Sequence, residues 1–464
     1  AAGQILRYSE QVKGDVRQGN QRLFHTVQLT AVSSGEDAKL GTVTARYEHY
    51  VPWRDPYPLT REELGDRLGK KPEAVSKQEI LAAVLFDKAR LLDIVHNYVT
   101  FLVTDDGKTI KSAPRYQQFR AVDRAIHRLR TGKTKQQDGE RDRRGGIVWH
   151  TQGSGKSLTM TFLVRKLRAS VDLKHFKVVV VTDRTQLQDQ LSETMELSGE
   201  TVDVAKSTAR ARSILGKHGP GLVFVMIQKQ RDDASSEPGM SVDAPLGEVN
   251  ADESIVVLVD EAHRSHTASL GANLQIALPN AARIGFTGTP IMTKKGRRRT
   301  TLELFGEFID MYRLKDAEED GVIVPILYEG LSVRGAVQDG RDLDEVVDEM
   351  FDELSPEDRD QLQRRHATKA KVTAAERLVA AKAKHMLRHY VERVLPEGFK
   401  AQVVALDRIT TVRYRDALMA ARDELVAEVE ALPARILEKP LDELKPRQAY
   451  LVGAHRHLDL LKRM

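Results

Sequence analysis

Between positions 146 and 290 the chain alternates short β-branched runs with longer amphipathic stretches. The runs are GIVW at 146–149, KVVVVTD at 177–183, GLVFVMIQ at 221–228, SIVVLVDEAH at 254–263 and ARIGFTGTP at 282–290. Segments this uniformly apolar suit strands buried on both faces, as in a parallel sheet covered by helices. The stretches between them are long enough for crossover helices. The pattern therefore predicts an α/β domain with a doubly wound parallel sheet. Near 400 another run, KAQVVAL, predicts a strand, and TTVRYRDALMAARDELVAEVEAL predicts a helix after it. Together they read as the opening of a second α/β domain. The stretch before it, 331–395, is mainly polar and helical. Residues 1–100 are mixed, with a hairpin around RLFHTVQLTAVSSGEDAKLGTVTARYEHY and a helix ending near LLDIVHNYVTFL. The chain shows no internal repeat.

Composition narrows the class. The 464 residues are 41% hydrophobic and 30% charged, as in an ordinary soluble globular protein. No apolar stretch reaches the roughly 18 residues of a membrane span, so no membrane is expected. The first residues, AAGQILRYSEQVKGD, do not read as a signal peptide. There are no cysteines, which excludes disulfides, thiolate metal sites and cysteine nucleophiles and is compatible with a reducing cytoplasm. Net charge is 72 − 67 = +5, which permits nucleic acid without demanding it. The basic residues cluster in KKGRRR at 294–299 and RDRRGG at 141–146, and DLDEVVDEMFDELSPEDRD at 342–360 is acidic. The bland reading of each such run is a solvated face or loop.

Candidate chemistry sits at the ends of the apolar runs. After GIVWH come Gln152, Gly153, Ser154, Gly155, Lys156 and Ser157. Backbone N–H groups at a helix N-terminus attract phosphate, and glycines allow close approach. A lysine reaches the β- and γ-phosphates, and a serine hydroxyl binds Mg²⁺. The segment thus reads as a P-loop for ATP and Mg²⁺, except that the strict pattern has glycine where His150 stands. Asp260 and Glu261 end another buried run. Asp260 can hold Mg²⁺ through water, and Glu261 can orient and deprotonate the attacking water. Thr287 and Thr289 occupy a tight turn after a third run, where they could relay the state of the γ-phosphate.

P-loop, Asp-Glu-Ala-His and Thr-Gly-Thr-Pro, in this order, resemble the first motor domain of superfamily 2 helicases and translocases. VWHTQGSGKSLTM, VTDRTQLQDQL, VDEAHRSH, GFTGTPI and LFGEFIDMYRLKDAEEDGVIVPILYE together resemble the motor (R) subunit of type I restriction enzymes. So do PRYQQFRAV and GTVTARYEHYVPWRDP. The resemblance covers most of 1–330 and weakens afterward.

It implies a RecA-like first motor domain at 106–330, a charged helical linker at 331–395, and an incomplete second RecA-like domain at 396–464. It also implies that 1–105 is the C-terminal remnant of a nuclease domain and its connection to the motor. Gln4 and Tyr8 match that nuclease group's Q-x-x-x-Y element, so the chain reads as starting just past the nuclease metal ligands. Gln117 matches the adenine-reading glutamine, with Gln118 as the alternative. Lys156 and Ser157 match the phosphate and magnesium contacts, and Asp260 and Glu261 the magnesium and water-activating pair. His263 matches the residue coupling the nucleotide site to the rest of the motor. Asp183 and Arg184 match a segment touching DNA, and Lys294, Lys295, Arg297, Arg298 and Arg299 are further DNA candidates. The implied activity is ATP-driven translocation of double-stranded DNA before cleavage. The implied partners are modification and specificity subunits. Another superfamily 2 helicase or translocase, or a nucleotide-binding fragment without turnover on its own, is the alternative.

Overall fold

A computed structural model describes residues 21–325 and 376–463, apart from 36, 44, 46, 104–106, 108, 183–191, 193–201, 206, 227–245, 263–272, 293–299 and 441–442. The chain divides into two compact units, 1–326 and 327–464.

The first unit opens with a three-stranded antiparallel sheet, β1 (Thr30–Ser33), β2 (Ala38–Gly41) and β3 (Val51–Pro52). The predicted hairpin is the β1–β2 pair, in register Thr30 to Gly41. The predicted helix ends at Tyr98. A two-stranded pair follows, β4 (Thr100–Val103) and β5 (Thr109–Ser112).

Beyond it lies the main sheet. Its strands are β6 (Gly146–His150), β7 (Lys177–Thr182), β8 (Val202–Ala205), β9 (Gly221–Met226), β10 (Ile255–Asp260), β11 (Ala282–Thr287) and β12 (Phe308–Tyr312). Their spatial order is β12-β6-β11-β10-β7-β9-β8, and every neighbouring pair is parallel. This is the expected doubly wound α/β architecture, consistent with a RecA-like fold.

Both faces of the central strands are buried, as their uniform hydrophobicity requires. Val178 and Val180 of β7 enter one core with the helices Tyr116–Thr131 and Lys156–Ala169. Val179 and Val181 enter the opposite core with the helix Thr208–Leu215. Two strands escaped the sequence reading. β8 and β12 are the edges of the sheet, where burial on both faces is incomplete and the apolar run is broken. VDVA is short and FIDMY carries an acid.

The N-terminal residues share the first core. The Trp53 ring lies 6.0 Å from Phe119, Tyr98 lies 5.3 Å from Phe119, and Tyr98 lies 5.4 Å from Phe162. Trp53 and Tyr98 are thus packed onto the same two helices that flank the P-loop strand.

The described part of the second unit is helical. Glu376–His389, Arg408–Glu430, Pro446–His455 and Leu458–Arg463 bury Leu387, Leu425, Val429, Leu451 and Leu461. The long helix agrees with its predicted pattern and starts where Asp407 accepts the Thr410 N–H at 2.7 Å. The strand expected at 400–406 is not formed. A strand needs a partner for its backbone N–H and C=O groups, and the described residues of this unit contain no other strand. Val404, 83% exposed, and Leu406, 62% exposed, stay in solvent instead.

Candidate nucleotide site

β6, β11 and β10 are adjacent and parallel, so their carboxyl ends bring three loops to one edge of the sheet. Ligands bind at such an edge in open α/β sheets.

The loop after β6 runs from Thr151 to Gly155, and the helix begins at Lys156. Gly153 and Gly155 adopt left-handed φ of 79° and 85°, which a side chain resists. A Cβ at Gly155 would also approach Gln118 Nε2 to 2.4 Å. Ser154 Oγ donates to the Thr151 carbonyl at 2.6 Å, tightening the turn. Lys156 Nζ donates to the carbonyls of His150 at 3.3 Å and Thr151 at 3.5 Å. Ser157 follows on the first helical turn.

The loop after β11 lies against this one. Trp149 Nε1 donates to the Gly288 carbonyl at 3.1 Å. A Cβ on Gly288 would stand 3.3 Å from the Gln152 nitrogen and 3.6 Å from Lys156 Nζ. Thr287, fully buried, accepts the Thr289 N–H at 3.1 Å.

Asp260 ends β10 and Glu261 follows it, 5% and 9% exposed. Glu261 has φ 48°, the one positive φ at a non-glycine among the described residues. A left-handed non-glycine residue costs on the order of 1–3 kcal/mol and persists where its surroundings over-determine it. Here the following Ala262 N–H donates to the Phe286 carbonyl of β11 at 3.1 Å, turning the chain at the carboxylate.

Both candidate glutamines are buried, at 1% and 2% exposure for Gln117 and Gln118. Gln118 Nε2 donates to the Gly155 carbonyl at 3.0 Å. Gln117 Nε2 has no hydrogen-bond partner. Gln118 is thus hydrogen-bonded to the loop. Gln4, Tyr8, Asp183, Arg184, His263, Lys294, Lys295, Arg297, Arg298 and Arg299 lie outside the described residues.

Sequence reasoning missed a charged cluster behind the loop. His150 Nε2 pairs with Asp310 Oδ2 of β12 at 2.8 Å, both side chains fully buried. Arg120 Nε and Nη2 donate to Asp310 at 2.7 and 3.0 Å, and Arg124 Nη1 at 2.8 Å. Arg120 also pairs with Asp55. Burial pushes the His150 pKa down, which favours the neutral ring. Burial also works against ionised Asp310, but the hydrogen bonds from His150 and Arg120 outweigh it and hold the carboxyl below its ordinary value. A lone acid inside the apolar FIDMY segment was the available signal.

Among the described residues no cluster of three or more His, Cys, Asp and Glu could hold a metal. Mg²⁺ asks for less, since it commonly takes one or two protein oxygens, water and substrate phosphates. The Ser157 hydroxyl and Asp260 carboxylate are hard oxygen donors of that kind. Among the described residues no helix is long and apolar enough to cross a membrane.

A parallel sheet with a glycine-bearing, lysine-ended loop between strand and helix, and an acid pair at the carboxyl end of the strand next but one, defines a P-loop nucleotide-binding domain. More specifically, the chain belongs to the SWI2/SNF2 ATPase family, whose model matches residues 117–391. It is 31% identical over 408 residues to a putative type I restriction enzyme MjaIXP endonuclease subunit of Methanocaldococcus jannaschii, covering 84% of this chain and 37% of that protein. It is 30% identical over 423 residues to the type I restriction enzyme HindI endonuclease subunit of Haemophilus influenzae, covering 87% and 37%. The chain thus spans little more than a third of the length of either relative. Among solved structures, a nuclease-deletion mutant of the Type ISP restriction-modification enzyme LlaGI in complex with a DNA substrate mimic is 13% identical. That match covers 75% of this chain and 32% of the other at a TM-score of 0.28, too low to support any inference.

Proposed function

We propose that this chain is the ATP-hydrolysing motor segment of a type I restriction enzyme R subunit, and that ATP hydrolysis drives translocation of double-stranded DNA before cleavage. The observation that carries this is the convergence of the 151–157, 260–261 and 287–289 segments on the carboxyl ends of three adjacent strands. Phosphoryl transfer needs mainly positioning and charge compensation from the protein, and these segments are suited to both.

In this reading the backbone N–H groups of Gln152, Gly153, Ser154 and Gly155 cradle the phosphates. Lys156 leaves the His150 and Thr151 carbonyls for the β- and γ-phosphates. Ser157 and Asp260 hold Mg²⁺, which when bound supplies positive charge at the phosphate oxygens. Glu261 takes the proton of the attacking water. Thr287 and Thr289 sense the γ-phosphate beside Lys156, and His263 passes that state onward. Gln117 reads the base, with Gln118 as the alternative. Asp183, Arg184 and the 294–299 cluster contact DNA. Gln4 and Tyr8 belong to a nuclease element, and 396–464 opens a second motor domain. The partners are modification and specificity subunits, in the cytoplasm.

Titration with a fluorescent ATP analogue tests the nucleotide assignment. Lys156→Ala should weaken binding about 10- to 150-fold, the equivalent of about 1.5–3 kcal/mol for a charge-assisted contact. Equal affinity would sink it. Phosphate release with and without duplex DNA then tests the motor.

The DNA contact has its own check. Replacing Lys294, Lys295, Arg297, Arg298 and Arg299 together should flatten the salt dependence of duplex binding equally for all sequences, because phosphate contacts release counterions without reading bases. An unchanged slope would leave the cluster as solvated charge.

A further inference from the structure

His150 stands where the strict P-loop pattern has glycine, and its ring is fully buried. A glycine there would leave the strand residue that opens into the loop free of side-chain restraint. Instead the imidazole is tied to Asp310, and Asp310 is tied to Arg120. Arg120 lies in the helix Tyr116–Thr131. The start of that helix reaches the loop at two more points. Arg115 Nη1 donates to the Gly153 carbonyl at 3.1 Å, and Gln118 Nε2 to the Gly155 carbonyl at 3.0 Å. One end of one helix therefore restrains the start of the loop, through Asp310 and His150, and its middle and end directly.

The restraint at the beginning bears on chemistry, because the His150 carbonyl accepts from Lys156 Nζ at 3.3 Å. The strand beside it adds rigidity: the Thr151 N–H donates to the Tyr312 carbonyl at 2.9 Å. Asp310 and Tyr312 are on the same strand, β12, so ring and backbone are pinned to one element.

We propose that His150 is a positioning residue for Lys156. Its ring, clamped by Asp310 and Arg120, fixes the carbonyls that hold the lysine ammonium at the loop, ready to transfer to phosphate. The proposal rests on the reading of Lys156 as the phosphate contact. It predicts that the effect of His150 on nucleotide affinity runs through Lys156, whereas a merely structural residue would act whether or not the lysine is present.

A double-mutant cycle in the 464-residue chain, read by titration with a fluorescent ATP analogue, separates the two. His150→Gly should weaken binding about 2- to 10-fold, the scale of one net hydrogen bond. In the Lys156→Ala background it should change nothing further. His150→Gln, which returns an amide N–H to the ring's place, should recover part of the loss. Equal losses in both backgrounds, or no loss from His150→Gly, would overturn the proposal while leaving the ATP reading intact. Unchanged affinity in Lys156→Ala would overturn both. If His150→Gly does not fold, Asp310→Asn takes its place in the same cycle and is judged by the same two outcomes.

Discussion

Glu261→Gln in the intact subunit is expected to bind nucleotide as the unaltered protein does and to release phosphate about 10²- to 10⁴-fold more slowly, the range set by loss of a positioned general base. The amide keeps the size and hydrogen-bonding shape of the carboxylate but cannot accept the proton of water. The geometry gives reasons to expect separation of binding from turnover. Glu261 sits past the end of β10, at a left-handed φ of 48°, and is 9% exposed. The Ala262 N–H bond to Phe286 fixes the backbone on its far side. The substitution leaves this backbone arrangement in place and removes the carboxylate's charge and basicity. An effect confined to turnover, with unchanged affinity, marks an interaction made in the transition state. Lys156→Ala should do the reverse and show first in affinity. Phosphate release from Glu261→Gln at the unaltered rate would remove Glu261 from the reaction and leave its backbone strain without that explanation.

How far the sequence foretold this site depends on whether a feature is local or assembled. The P-loop, the acid pair and the Thr-Gly-Thr-Pro turn are local, since each is a short polar segment at the end of an apolar run. Strands buried on both faces announce themselves by uniform hydrophobicity, so β6, β7, β9, β10 and β11 were visible. The edge strands β8 and β12 were not, because an edge is not obliged to be apolar throughout. The packing of Trp53 and Tyr98 on Phe119 joins residues far apart in the chain, and no periodicity encodes it. Adjacent helix positions point about 100° apart, so Gln117 and Gln118 meet different surroundings: Gln118 donates to the Gly155 carbonyl, and Gln117 Nε2 is buried without a partner. No local sequence pattern encodes that difference. The run at 400–406 had a strand's composition without a partner, and pairing is a property of two segments. The His150 cluster joins four separated stretches, and only the lone acid of FIDMY and the departure from glycine at 150 hinted at it.

That cluster supports the largest stability effect expected here. Asp310 has a fully buried side chain and accepts hydrogen bonds from His150, Arg120 and Arg124. Arg120 is itself only 13% exposed. Asp310→Ala would leave that guanidinium largely out of water and without its main counter-charge, with Asp55 and the Met311 carbonyl as remaining partners. Removing one member of a buried pair costs about 3–5 kcal/mol, mostly the penalty of the stranded charge. An exposed pair of similar geometry provides the control. Arg130 Nε and Nη2 meet Asp172 at 2.7 and 3.0 Å, but the two side chains are 43% and 54% exposed. Asp172→Ala should cost under about 1 kcal/mol, because water replaces the lost partner. The measurement can be confined to the first unit, since the chain's two tryptophans, Trp53 and Trp149, both lie within 1–326. Urea denaturation followed by tryptophan fluorescence should therefore show the midpoint fall steeply for Asp310→Ala and barely move for Asp172→Ala. Equal small shifts would mean that solvent reaches Arg120 once the carboxylate is gone, and that the cluster behind the P-loop is not a closed network.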